Sequence, residues 1–131
     1  MITVDHPIAK IAQDVVDHVN SGAASDVPLW DKHWHPEFVS VEGDGMTHTG
    51  KENVLEKHKM WHDSVTMHAC TAHGPYVTQN GFCVRYELDC EANDGSWPRM
   101  TMDEIAVYTV RDGKVVREEF FGRPMPAGCC G

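Results

Sequence analysis

The stretch IAVYTVRDGKVVREEFF, residues 105–121, decides the fold. Asp112-Gly113 stands between two runs rich in β-branched and aromatic residues, Ile105–Val110 and Lys114–Phe121, and such a pair accepts the backbone geometry of a tight hairpin. Two antiparallel strands are therefore predicted. Upstream, Phe82, Val84, Tyr86, Leu88 and Cys90 alternate with Cys83, Arg85, Glu87 and Asp89, a period of two that gives one apolar and one polar face. Gly74-Pro75, Gln79-Asn80-Gly81 and Asn93-Asp94-Gly95 supply turn residues between strands. From Val65 onward the chain reads as about four antiparallel strands in succession.

The first half is mostly helical. Ile8, Ile11, Ala12, Val15, Val16 and Val19 recur at the three-and-four spacing of one helix face, with Asp5 as the expected cap, Pro7 in the first turn and Asn20-Ser21-Gly22 as the stop. Asp26 to Trp34 predicts a second, short helix capped by Asp26 and ended by Pro36. Phe38 to Glu42 reads as a strand, and Gly43-Asp44-Gly45 as a turn. Thr49-Gly50-Lys51-Glu52 has the form of a capping box opening a third helix, whose inner face carries Val54, Leu55, His58, Trp61 and His62. Helices first and strands after is the α+β class, with helices on one face of a sheet. A single domain over residues 1–131 is expected, with an ordered core over about 5–123 and a tail, Pro124 to Gly131, that crosses the surface or frays.

Composition narrows the function. The chain has 20 acidic and 11 basic residues, a net charge of −9, which opposes binding to nucleic acid or to an anionic membrane surface. No apolar run has the length of a signal peptide or a membrane span, so a cytoplasmic location is expected. Cysteines at 70, 83, 90, 129 and 130 have no C-x-x-C spacing, which predicts reduced thiols rather than disulfides or structural zinc. Cys129 and Cys130 read as exposed thiols of the tail. No nucleophile elbow, phosphate loop or dinucleotide fingerprint occurs, so no organic cofactor is expected.

The short helix ending in His35-Pro36, the strand Phe38–Glu42, the helix start Thr49–Glu52 and the closing hairpin Tyr108–Phe121 resemble SnoaL-like domains of the nuclear-transport-factor-2-like superfamily, over about residues 5–123. The resemblance implies a cone-like, curved antiparallel sheet with three helices packed on its concave face around a tapering pocket. It also implies a homodimer through the outer sheet face. Ketosteroid isomerases, polyketide cyclases, dehydratases, epoxide hydrolases and binding-only proteins share this fold, so fold alone selects no reaction. In ketosteroid isomerases a proton-shuttling aspartate follows the Val-Glu pair of the first strand. Gly43 stands there in this chain, with Asp44 one residue on, which speaks against steroid isomerisation.

Four residues are candidates for catalysis. Glu42, at the strand end, reads either as a general base in an apolar pocket or as a solvated carboxylate. His58, among Val54, Leu55 and Trp61, reads as a proton relay or as a satisfied core residue. Glu104 shares strand phase with Ala106, Tyr108 and Val110, and is either catalytic or a structural partner of Arg85. Val116, Glu118 and Phe120 share one face of the last strand, which the relatives' hairpin register aims at the pocket, with Arg117 and Glu119 on the dimer side. Trp61, His62, Tyr76, Tyr86, Tyr108 and Phe120 are candidate ligand contacts, or ordinary core. His58 and His62 have helical spacing but lack the glutamate of H-E-x-x-H, so no metal site is predicted. The expected function is cofactor-independent acid–base chemistry on a small apolar organic molecule, such as isomerisation, cyclisation, dehydration or hydrolysis. A carrier without turnover and a dimerisation module are the alternatives.

Overall fold

A computed structural model describes residues 1–124; the predicted tail beyond them, with Cys129 and Cys130, lies outside the described residues. The elements run α1 (Pro7–Asn20), α2 (Val27–His33), β1 (Trp34–Val41), β2 (Thr47–Thr49), α3 (Lys51–Ser64), β3 (Val65–Thr78), β4 (Gly81–Ala92), β5 (Met100–Arg111) and β6 (Lys114–Gly122). The six strands form one curved, unclosed sheet in the order β2-β1-β6-β5-β4-β3. The α+β class and the cone-like architecture are as expected, but the sheet is mixed rather than antiparallel. β1 lies parallel to β6, pairing Ser40 with Glu118 and Val41 with Glu119. A long connection frees two strands from the hairpin constraint, and residues 42–113, more than half of the chain, separate this pair.

Strand β2 escapes the period-two signal because Thr47-His48-Thr49 carries no apolar residue. Its existence is set by a tight turn in which the Gly45 amide donates to the Glu42 carbonyl (2.9 Å) and the Glu42 amide to the Met46 carbonyl (2.8 Å). Gly74-Pro75, predicted as a break, instead lies inside the long strand β3, where the pairing with β4 shifts between His73 and Tyr76. Trp34, predicted as the end of the second helix, opens β1.

The expected caps also change. His6, not Asp5, caps α1, its Nδ1 accepting from the Ile8 amide at 3.1 Å. Thr49 is committed to β2, so the capping box does not form; Gly50 precedes α3 at φ 89°, a conformation that costs a side-chain-bearing residue. Asp26 makes no capping hydrogen bond. Its carboxylate faces His18 Nε2 at 3.2 Å and His58 Nδ1 at 4.0 Å instead.

Ile8, Ile11, Ala12, Val15 and Val16 bury the apolar face of α1, each large side chain contributing roughly 1.5–3 kcal/mol. The end of α1 is tied to β3 by Asn20, whose amide donates to the Ala72 carbonyl (3.1 Å) and accepts from the Ala72 amide (2.8 Å). Helix α3 is different, for Val54 is its one buried residue. Leu55 and Trp61, expected inward, are 43% and 39% exposed. They border a hollow rather than a packed core. On β6 a register shift sets Val115 opposite Val110 and Arg117 opposite Thr109, leaving Val116 as an extra residue. Val115 is therefore buried in place of Val116, while Glu118 and Phe120 still face inward. Among the described residues, no helix is long and apolar enough to cross a membrane.

Candidate functional site

The concave sheet face, α3 and parts of α1 and α2 border an open hollow of about 1360 Å³. Strand phase decides its walls. Trp34 and Glu42 come from β1 and its end, Tyr86 from β4, Glu104 and Tyr108 from β5, Glu118 and Phe120 from β6. Helix α3 adds Lys57, His58, Trp61 and His62. All four candidate catalytic residues, Glu42, His58, Glu104 and Glu118, thus line one cavity, and so do five of the six candidate ligand contacts. The exception is Tyr76. It follows the register shift on β3 and is 66% exposed, away from the hollow.

Glu118 lies at the bottom, 3% exposed. Its Oε1 accepts from the Trp34 indole N–H at 2.9 Å and its Oε2 from the Ser40 hydroxyl at 3.0 Å. Burial raises its pKa, against the lowering effect of the Trp34 hydrogen bond and the Lys57 charge. Ser40 Oγ accepts in turn from Lys57 Nζ at 2.9 Å, and the same ammonium is paired with Glu42. Lys57 Nζ also stands 5.3 Å from the centre of the Phe120 ring, within cation–π range. The amine is the pivot between two of the three carboxyls.

Glu104 is held differently. Burial, and then the like charge of Glu42, push its pKa up to about 7, with Lys57 opposing. The predicted Arg85–Glu104 pair does not exist, because the register aligns Glu104 with Tyr86 and sends Arg85 to the opposite face. There Arg85 binds Glu87 at 2.8 Å and Asp103 at 3.2 Å. Glu104 can therefore exchange its proton near neutrality.

His58 packs edge-on against Trp30 with ring centres 5.2 Å apart. Burial first, and Lys57 second, lower its pKa against the opposing charge of Asp26, which favours the neutral imidazole. Deeper in, the Tyr86 and Tyr108 hydroxyls meet at 2.7 Å. Phe82 stacks on Tyr108 at 4.7 Å and Trp34 meets it edge-on at 5.7 Å. Sequence reasoning missed Lys57, Ser40 and Trp34. The spacing of Lys57, three residues after Val54 and four before Trp61, was the available signal for a basic residue over the cavity.

Residues 31–122 match the family model of the SnoaL-like domain. The chain belongs to the SnoaL-like family. A SnoaL-like structure from Mesorhizobium loti, provisionally described as a polyketide cyclase or carbohydrate phosphatase, is 29% identical, with a TM-score of 0.76 over 87% of this chain and 97% of that one. More distant structures share the fold. A hypothetical protein with a ketosteroid-isomerase-like fold from Catenulispora acidiphila, in complex with trimethylamine, is 10% identical at a TM-score of 0.66, covering 82% of each chain. TerC, co-crystallised with polyporic acid, is 18% identical at 0.68, over 90% of this chain and 92% of that one. No curated protein sequence matches.

Proposed function

We propose that this SnoaL-like protein is a small-molecule pocket enzyme that transfers protons on a largely apolar organic substrate, in a reaction of the isomerase, cyclase, dehydratase or hydrolase type. Glu104 carries the reading: an inward carboxyl, with no side-chain hydrogen-bond partner among the described residues, whose pKa burial raises to about 7. Glu104 gives or takes the proton, and Lys57, anchored by Glu42 and Ser40, offsets negative charge that develops on the substrate. His58 in its neutral form is the second proton carrier. Complexes of the same fold with trimethylamine and with polyporic acid support a small organic ligand here.

A panel of ketones incubated with the protein in D₂O, read by NMR, tests this. Enzyme-dependent deuterium incorporation is expected, with Glu104→Gln lowering it by about 10²- to 10⁴-fold. A rate that rises with pH through about 7 marks Glu104 as the base, and a falling rate marks it as the acid. Saturable binding with no exchange in any compound would favour the carrier.

The outer sheet face supports a homodimer. Ile105, Val107 and Phe121 are 43%, 41% and 51% exposed there, with Ile105 and Phe121 directly paired across strands. Light scattering is expected to give twice the chain mass, and Phe121→Glu to shift it to the monomer; a monomeric wild type would end this part of the reading.

A further inference from the structure

The Tyr86 and Tyr108 hydroxyls form one hydrogen bond, 2.7 Å long, on side chains that are only 7% and 5% exposed and line the hollow. Each hydroxyl carries a single proton. Whichever tyrosine donates to the other, the accepting hydroxyl keeps a proton for which the pair has no use. The nearest carboxyls do not take it. Glu118 stands opposite Tyr108 in the register, but its hydrogen bonds come from Trp34 and Ser40, and among the described residues none joins it to a tyrosine. Glu104 stands opposite Tyr86, whose hydroxyl bonds Tyr108, and among the described residues no hydrogen bond joins Glu104 to either tyrosine.

Nor can the Tyr108 ring swing to find another acceptor. Tyr108 is held between the stacked Phe82 at 4.7 Å and the edge of Trp34 at 5.7 Å. Burial raises the pKa of both phenols, so both stay protonated and act as donors. A ligand oxygen that accepts the remaining O–H makes a hydrogen bond inside a largely apolar hollow, worth roughly 0.5–1.5 kcal/mol, up to about tenfold in affinity.

We infer that the tyrosine pair presents one free O–H at the inner end of the hollow, and that the ligand enters with a neutral carbonyl oxygen leading and its apolar body toward Leu55 and Trp61. The inference rests on the pocket reading above and adds the orientation and the functional group. The carbonyl then lies on the sheet face shared by Tyr86 and Glu104, next to the group proposed to move the proton.

Two probes of matched shape, 2-acetylnaphthalene and 2-ethylnaphthalene, test it by calorimetry on the full chain. The wild type is expected to bind the ketone about tenfold more tightly, the value of one hydrogen bond. The Tyr86→Phe/Tyr108→Phe double variant should bind both compounds alike, at the affinity of the hydrocarbon. The ¹³C-labelled carbonyl of the bound ketone should shift downfield in the wild type and return in the double variant; if that variant fails to fold, the shift in the wild type decides. Equal binding of the two probes, or a preference that survives in the double variant, overturns the inference and leaves the pocket reading standing. Binding of neither probe overturns both.

Discussion

Replacing Trp34 by alanine is expected to cost about 3–5 kcal/mol, roughly a fifth or more of the stability of a typical domain. Three losses coincide in that one side chain. Trp34 is 5% exposed, packs edge-on against Tyr108 and Phe38 at 5.7 and 6.5 Å, and donates to the buried Glu118. Trp34→Phe separates packing from hydrogen bonding, since it keeps a ring and deletes the N–H. That variant should lose roughly 1–3 kcal/mol, the cost of a buried acceptor left unmatched. The donor also lowers the pKa of Glu118, so its removal raises that pKa further, and the deficit should widen as pH rises. Urea denaturation at acidic and alkaline pH measures both effects. A phenylalanine variant as stable as wild type at every pH would show the indole bond to be worth nothing.

Glu104→Gln is expected to make the protein more stable, by up to about 3 kcal/mol at about pH 8, while removing activity. The sign follows from the proton balance. Folding raises the Glu104 pKa from 4.5 to about 7, so between these values the folded state binds more protons than the unfolded chain. Stability contributed by the neutral acid is complete below about pH 4.5 and is lost as pH rises to about 7, where the loss levels off. Glutamine does not ionise and escapes this loss, so variant and wild type should converge at about pH 4. A difference in unfolding free energy that stays flat with pH would show that burial does not burden this carboxyl. Stability gained with turnover lost is the pattern of a strained functional group.

Much of this architecture was legible in the residues. The hairpin at Asp112-Gly113 forms with both residues at positive φ, 50° and 75°, because the pair tolerates what a two-residue turn demands. The alternation from Phe82 to Cys90 places every second residue in the core, since a strand has no other way to divide its side chains. Glu104 reaches the hollow by the same rule, and Glu118 reaches it through the register shift at Val116. The mixed sheet was not legible, for nothing local in Phe38–Val41 records that its neighbour arrives about eighty residues later. Leu55 and Trp61 have the spacing of a buried helix face, yet α3 spans a cavity, and periodicity cannot tell a wall of core from a wall of empty space. Lys57 went unseen for a related reason. A lysine on a polar helix reads as solvated unless the groups it meets, the Ser40 hydroxyl seventeen positions back and the Glu42 carboxylate fifteen positions back, are known.

The parallel junction of β1 and β6 also bears on how the chain acquires its shape. Trp34 and Ser40 meet Glu118 across sequence separations of 84 and 78 residues. Contacts that distant form late, because a large loop must close before they repay its lost entropy, and such topologies fold slowly. The hairpins of β3 to β6 can assemble from near neighbours, whereas the chamber's floor waits for the two ends of the chain to find each other. Ribosomal synthesis delivers Trp34 and Ser40 long before Glu118 emerges, so the polar floor is the part of the molecule completed last.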